Sequence, residues 1–337
     1  MNRLFNLFDF SRVFFFMLNT LRSQRRFLKK NIKPLLEEIR KDKNAVISDT
    51  DVKKIMQYYG YAVPAILGEG FSKLRGKPLT QKERLALTSI GALSGLYDDL
   101  FDKLDTPEDH ILKLTILPEE KYARNTHELL FIRLYTNALH HCSNPELLKE
   151  KSLEVYKAQV VSKKQKDNNL SGEEISAITF LKGGVAFLLY RSTLDEPAEK
   201  YEENMIYTLG ALMQLENDIF DIYEDHRDNI NTLATTSTNI ADLRNTYNKM
   251  HKELLSLLDQ TSFSIKNKLF FIRFINLVLF RGSVCLDCLE KNEKLTNHLF
   301  LIKQDTRSQL ICDMEKPGNV IKLIQYYINF DLSRFRQ

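Results

Sequence analysis

The residues best suited to chemistry lie in Gly91–Asp105, GALSGLYDDLFDKLD, which sets Asp98, Asp102 and Asp105 among apolar neighbours on a predicted helix. At about 100° per residue, Asp98 and Asp102 stand about 40° apart, Asp105 falls close to both, and Asp99 lies at the edge of the arc. Leu93, Leu96, Tyr97, Leu100, Phe101 and Leu104 fill the other side, so most of this helix calls for burial. Buried carboxylates of like charge are costly unless a cation sits between them. Gly91, Ser94 and Gly95 lie above Asp98, and their small side chains predict an empty place beside that cation.

A second stretch, Gly210–Asp225, GALMQLENDIFDIYED, repeats the design. With Asn217 as origin, Asp221 falls at about 40°, Asp225 at about 80° and Asp218 at about 100°, with Gln214 and Gly210 in the same arc. Leu215, Ile219, Phe220 and Ile222 occupy the rest. Either stripe alone reads equally well as a solvated acidic face. Together, carboxylates and amide oxygens without His or Cys suit a hard cation. Magnesium prefers a few carboxylates with phosphate oxygens and waters, so facing acidic helices would gain most from a diphosphate arriving with its own metal ions.

The elements that must position these stripes are helical. In 337 residues there are 12 Gly and 8 Pro, few breakers among many helix formers, and strand-like alternation is absent. Ser48-Asp49-Thr50 predicts a cap for a helix to about Leu67, and Gly68–Pro78 reads as a loop. A long helix is expected from Thr80 to about Leu104. Thr106-Pro107 and Asn144-Pro145 place caps before proline, and Ser171-Gly-Glu-Glu174 is a capping box for a helix to about Arg191. Glu196–Asp228 reads as one long helix, followed by a polar loop over 229–239 and helices near 240–260, 264–290, 294–313 and 318–333. The outline is one domain of about a dozen helices without internal repeats.

Composition excludes other classes. A net charge of +4 is small for a nucleic-acid binder. Four cysteines make no disulfide framework, and the Cys285/Cys288 CxxC has neither a second pair nor histidines for zinc, so packed thiols are expected. Asp9 and Arg12 interrupt the N-terminal apolar residues before a secretory core develops, so a cytoplasmic location is expected. The apolar runs Val13–Leu18 and Leu269–Phe280 are too short or too broken to span a bilayer. Residues 1–30 combine seven basic residues with seven phenylalanines. They read either as an interfacial membrane helix or as a core helix with a solvated basic end. The core reading leads, because the polar residues do not fall on one clean face.

DDLFD at 98–102 resembles the DDxxD motif of class I isoprenoid synthases. Gly210–Asp221 resembles the second motif of the trans-prenyltransferases, G-x-x-F-Q-x-x-D-D-x-x-D, with Asn217 in place of its first Asp and Met213 in place of its Phe. Asn217, Asp221 and Asp225 also resemble the Asn/Ser/Glu metal triad of terpene synthases, and Lys182-Gly183-Gly184 is similar to the Lys-Thr-Gly segment that holds diphosphate in prenyltransferases. The resemblance spans roughly residues 65–290. It implies an all-α, single-domain bundle with a central cavity, covering 31–337 behind an N-terminal helix at 1–30. It further implies about three Mg2+ ions arriving with a prenyl diphosphate and held by Asp98, Asp99, Asp102, Asn217, Asp218, Asp221 and Asp225. Asp98, Asp102 and Asp221 would then be catalytic. Lys182, Gln214 and Arg227 would bind diphosphate, with Arg191 and His226 as weaker candidates. Ser94, Phe187 and Tyr207 would line the prenyl cavity, and 229–239 would close over it. Proteins of this fold often pair as homodimers, and greasy products make membrane contact through residues 1–30 a further expectation.

The sequence also departs from that pattern. After Asp102 it reads KLDTPEDHILKL, without the Arg-Arg-Gly of chain-elongating enzymes, and the upstream Gly-Lys-Arg is not reproduced. FSKLRGKP at 71–78 is basic but sits too near the first motif, and the spacing of the squalene- and phytoene-type synthases differs. Ionisation with cyclisation or elimination is therefore placed first and prenyl transfer second. Arg334-Phe335 loosely echoes the C-terminal Arg-Tyr of cyclases. A non-catalytic scaffold or prenyl-lipid carrier stands as the alternative from another class.

Overall fold

The structure is a computed structural model and describes residues 2–41, 45, 47–167, 169–295, 300, 302 and 305–332; Arg334-Phe335 lies outside them. Every regular element among the described residues is helical, as the composition requires. The chain packs as two compact units. Phe15–Val160 with Leu188–Ala198 forms one, which contains DDLFD. Met1–Phe14, Val161–Phe187 and Glu199–Gln337 form the other, which contains Asn-Asp-Ile-Phe-Asp at 217–221. They are called the DDLFD and NDIFD units below.

The DDLFD unit is built on the helix Gln81–Asp102, opened by a capping box in which Thr80 and Glu83 exchange hydrogen bonds. Its apolar arc, including Leu87, Ile90, Leu96 and Leu100, is fully buried, and it packs on the helix Thr126–His141. Glu83 also takes Arg75 at 2.7 Å and the Asp195 backbone N–H at 2.9 Å, which ties both neighbouring segments to the helix start.

Upstream, the helix expected from Ser48 is present behind its Ser48 cap, its α-helical segments Asp49–Lys53 and Tyr59–Ala62 alternating with two π-helical stretches, Lys54–Tyr58 and Val63–Gly68. The expected loop over Gly68–Pro78 is instead largely the helix Glu69–Arg75, which ends at Gly76 with φ 71°. Glycine is a contact residue here and not a breaker. A Cβ on Gly60 would stand 3.2 Å from Ala92 Cβ, and one on Gly68 only 2.6 Å from Leu87, so both let this stretch lie close against Gln81–Asp102.

The NDIFD unit centres on the helix Lys200–Phe220, which packs on Ile240–Gln260 and Ile265–Leu295; Pro317–Asn329 covers the last of these. The Asn6 amide donates to the carbonyls of Ile328 and Phe330 at 2.8 and 3.1 Å, fixing the start of the chain to its last helix. The single helix expected over Glu196–Asp228 breaks at Asp221, which has φ −92° and ψ 10°, and resumes as Ile222–Arg227. The expected helix over 294–313 is, where described, only the turn Arg307–Leu310.

By length and composition alone Ile265–Lys294 would pass for a membrane-crossing helix, but 78% of its apolar window is buried inside the protein, as in a core helix. All four cysteines are free thiols. Cys288 and Cys312 approach with sulfurs 3.7 Å apart.

Candidate functional site

The first stripe lies at the end of its unit's central helix, the second starts at the end of its unit's central helix and runs past the break into Ile222–Arg227, and both show the same internal division of labour. In DDLFD, Asp98 is half-buried and Asp102 exposed, while Asp99 is only 4% exposed. The Asp99 carboxylate receives Lys54 at 2.6 and 2.7 Å and Lys103 at 2.9 Å. Burial opposes its charge, but the two ammonium groups outweigh that and hold it below the usual carboxylate range. Asp98 accepts a hydrogen bond from the Gln159 amide. Asp105 has left the arc: the helix ends at Asp102, and Asp105 is exposed with φ 44°.

The space expected above Asp98 is filled. A Cβ on Gly91 would meet the Tyr59 carbonyl oxygen at 3.0 Å, and one on Gly95 would meet the Tyr59 ring at 3.0 Å, so the small residues seat Tyr59 at the end of the first π-helical stretch. Ser94 faces elsewhere, donating to the Ile90 carbonyl at 2.9 Å and sharing a 3.0 Å hydrogen bond with the Tyr190 hydroxyl. A cavity inside this unit lies on the Leu93 and Tyr97 side, between Phe131, Tyr135 and Leu189. It measures about 20 Å³, room for one water.

In the NDIFD unit, Asn217 is exposed, Asp221 and Asp225 are half-buried, and Asp218 is 4% exposed. Gln214 and Thr179 donate to separate oxygens of Asp218 at 2.9 and 3.1 Å. Asn217 donates to Asp221 at 2.9 Å. Despite the helix break, the Asp225 N–H still reaches the Asp221 carbonyl at 2.8 Å, which keeps Asp225 stacked one turn on.

These carboxyls hold protons tightly. Burial pushes Asp218 up to about 6 against its hydrogen bonds and the charge of Lys182. Burial, then the charges of Asp218 and Asp221, push Asp225 up to about 8. Asp221 is raised as well, by burial and by Glu224.

What positions this cluster is a backbone-to-backbone crossing. A Cβ on Gly183 would lie 2.2 Å from the Gly210 carbonyl oxygen, and one on Gly210 2.3 Å from that of Gly183, so no other residue fits at either place. The crossing brings Thr179 and Lys182 of Gly172–Ser192 to Asp218. It also packs Phe187 against Gly210 and the Tyr207 ring against Gly184, so both aromatics are engaged in helix contact.

Other expected residues have different partners. Arg227 is exposed and forks onto Asp228 at 2.8 and 3.0 Å. Arg191, a weaker candidate for the diphosphate, is 3% exposed and donates to the Glu196 carbonyl at 2.9 Å. The segment 229–239, expected as a mobile lid, is tied down. Asn231 bonds the Gln165 and Asp167 carbonyls through its N–H and side chain at 2.7 and 3.0 Å, Thr232 and Thr235 close a turn, and Ala234 is fully buried. The Thr side chains bond the loop's own backbone, and the Asn231 side chain bonds backbone outside it.

Lys54, Lys103, Gln159 and Thr179 were not anticipated. Thr179 carried a signal, lying one turn before Lys182, whereas Lys54 contacts Asp99 across 45 residues with nothing local to announce it. The NDIFD unit also has an open cleft of about 610 Å³, lined by His251, Phe280, Asp287, Lys322 and Tyr326, away from the second stripe.

Among the described residues, no three of His, Cys, Asp and Glu gather closely enough to hold a metal ion unaided. The donor chemistry nevertheless fits magnesium, which takes one or two carboxylates and completes its shell with phosphate oxygens and water. The raised proton affinities of Asp218 and Asp225 mark a place where positive charge is wanted.

No protein-family model matches the chain. No curated protein matches it either. Among solved structures it is similar to a dehydrosqualene synthase crystallised with a ligand, at 12% identity and a TM-score of 0.44, over 94% of this chain and 97% of that one. At this score the likeness lends no support to a particular site or reaction.

Proposed function

We propose that the protein ionises an allylic prenyl diphosphate in a magnesium-dependent step, followed by cyclisation or elimination. The observation that carries this reading is the Asp218, Asp221 and Asp225 cluster, whose burial and mutual repulsion leave it short of positive charge. A structural helix face has no use for such carboxyls. Asp98, Asp102, Asn217, Asp221 and Asp225 would hold the ions, and bound magnesium would supply charge neutralisation of the departing diphosphate. Asp99 and Asp218, whose oxygens are already engaged, act as positioning residues: Asp99 anchors Lys54 and Lys103, and Asp218 orders Gln214 and Thr179. Lys182, whose charge acts on both Asp218 and Asp225, would bind the diphosphate.

A second reading, prenyl transfer, has an observation of its own. Two ammonium groups, those of Lys54 and Lys103, stand at Asp99 beside the first motif although the Arg-Arg-Gly is missing.

The test is a product assay with geranyl, farnesyl and geranylgeranyl diphosphates, each with and without isopentenyl diphosphate and magnesium. Hydrocarbon or alcohol from the allylic substrate alone supports the first reading. A longer diphosphate formed only with the co-substrate supports the second. Asp98→Ala and Asp221→Ala are each expected to abolish turnover with helix content unchanged. Wild-type rates in both variants would remove the stripes from the chemistry, and equal diphosphate binding with and without magnesium would leave a carrier.

A further inference from the structure

The N-terminal helix Asn2–Asn31 turns its back on the rest of the protein along one continuous line. Val13, Thr20, Gln24 and Leu28 are buried on its inner side, at 0–6% exposure. Residues seven apart return to within about 20° of one another, so Phe8, Phe15, Arg22 and Lys29 form one outer stripe, flanked by Arg12, Asn19, Arg26 and Lys30. All eight are exposed. Phe8 is 74% and Phe15 63% accessible, with Leu7 and Phe14 beside them at 45% and 41%. The outer face is thus aromatic over its first half and cationic over its second. The polar residues that spoil any simple two-sided pattern in the sequence are sorted along the helix, not around it.

Nothing acidic interrupts this face. The helix has one carboxylate, Asp9, which is half-buried and held by Arg273 at 2.7 Å and Arg12 at 3.1 Å. Arg22, Arg26, Lys29 and Lys30 have no carboxylate partner among the described residues. Four unbalanced cations over about 12 Å of helix repel one another and attract an anionic surface. Large exposed phenylalanines at one end, next to cations whose long stems can reach headgroup phosphates, are the two components of interfacial binding.

We infer that the outer face of the N-terminal helix docks on an anionic lipid surface, with Phe8 and Phe15 entering the acyl boundary and Arg22, Arg26, Lys29 and Lys30 on the headgroups. The length of the stripe favours a bilayer over a protein partner, since Phe8 to Lys29 covers about 30 Å without an acidic residue on the face to set a register. The inference stands independently of the reaction proposed above.

The experiment is co-sedimentation of the full chain with vesicles of phosphatidylcholine alone and of phosphatidylcholine with one-third phosphatidylserine. Binding is expected only to the anionic vesicles and is expected to fall by about 10-fold or more in about 0.5 M salt. The pair Phe8→Ser with Phe15→Ser, and the set Arg22→Gln, Arg26→Gln and Lys29→Gln, should each lose binding by a comparable factor. Thermal unfolding is measured on each variant alongside binding, which separates lost docking from lost fold. Absence of binding to anionic vesicles, or unchanged binding in both variants, overturns the inference. So does sedimentation velocity showing a dimer of the lipid-free protein that the phenylalanine pair abolishes while vesicles are not bound, because the face would then serve a second copy of the chain.

Discussion

At the scale of single residues, the two stripes separate carboxylates that face outward from carboxylates that hold the neighbourhood together. A residue one position after a stripe member is turned by about 100°, and that is where Asp99 and Asp218 sit. Asp99 is the clearer case. Its burial beside two lysines makes it an anchor, and removing one partner of a buried ion pair strands the other charge. Asp99→Ala is expected to cost about 3–4 kcal/mol of stability by urea unfolding while leaving the apparent magnesium affinity of the folded protein within about 2-fold. A large loss of magnesium affinity at unchanged stability would return Asp99 to the ligands. Asp225 behaves oppositely. With burial and two neighbouring carboxylates raising it to about 8, its charged form destabilises the metal-free fold. Asp225→Asn should therefore stabilise the metal-free protein at pH 8 by about 1–3 kcal/mol while eliminating turnover. Unchanged or lower stability in that variant would show that the carboxylate is not under strain.

At the scale of elements, the crossing at Gly183 and Gly210 decides whether the second stripe exists as a cluster. Added methyl groups would lie 2.2–2.3 Å from opposing carbonyl oxygens, and backbone cannot rotate away as a side chain can. Gly183→Ala and Gly210→Ala are each expected to cost about 3 kcal/mol or more. The surviving folded fraction should show weaker diphosphate binding, because Lys182 and Thr179 move with the helix. A melting temperature within about 2 °C of wild type for either variant would contradict the crossing.

Much of this level was legible in the sequence. The expected start at Thr80 and the box at Ser171/Glu174 mark the starts of Gln81–Asp102 and Gly172–Ser192, and the apolar arc of Gln81–Asp102 is buried as its periodicity requires. What was not legible depended on contacts far along the chain. Gly91, Gly95 and Ser94 read as empty space because nothing local reveals that Tyr59 and Tyr190 fill it. Gly68 read as a loop marker because its contact with Leu87 is invisible in a window of ten residues. The break at Asp221 falls inside an unbroken apolar period that propensity alone would carry through.

For the molecule as a whole, these local proton affinities fix how stability responds to pH and to metal. His251 is buried between Phe280 and Phe330, hydrogen-bonded to Asn276 at 2.9 Å, and burial lowers it to about 4 from an ordinary 6.5. Its folded form binds fewer protons than its unfolded form between those values, so its contribution is lost as pH falls from 6.5 towards 4. His127, also lowered by burial, pulls the same way. Asp218 and Asp225 pull against them. Their folded forms keep protons that the unfolded chain releases near 3.8, so stability is lost as pH rises towards about 6 for Asp218 and about 8 for Asp225. Below pH 6.5 the histidines and carboxyls oppose one another and the slope is shallow. Between pH 6.5 and 8 the histidines are silent and Asp225 dominates. Unfolding free energy of the metal-free protein should then fall by up to about 1.4 kcal/mol per pH unit. A divalent cation bound at the cluster requires the same protons to leave, so saturating magnesium with diphosphate should flatten this limb, and its stabilising effect should grow from pH 6.5 to 8. Calorimetric titrations in buffers of different ionisation enthalpy should show about one proton released per site at pH 7, and fewer in Asp225→Asn. A metal-free stability independent of pH over this range, with no proton release on binding, would mean that the second stripe is an ordinary solvated face.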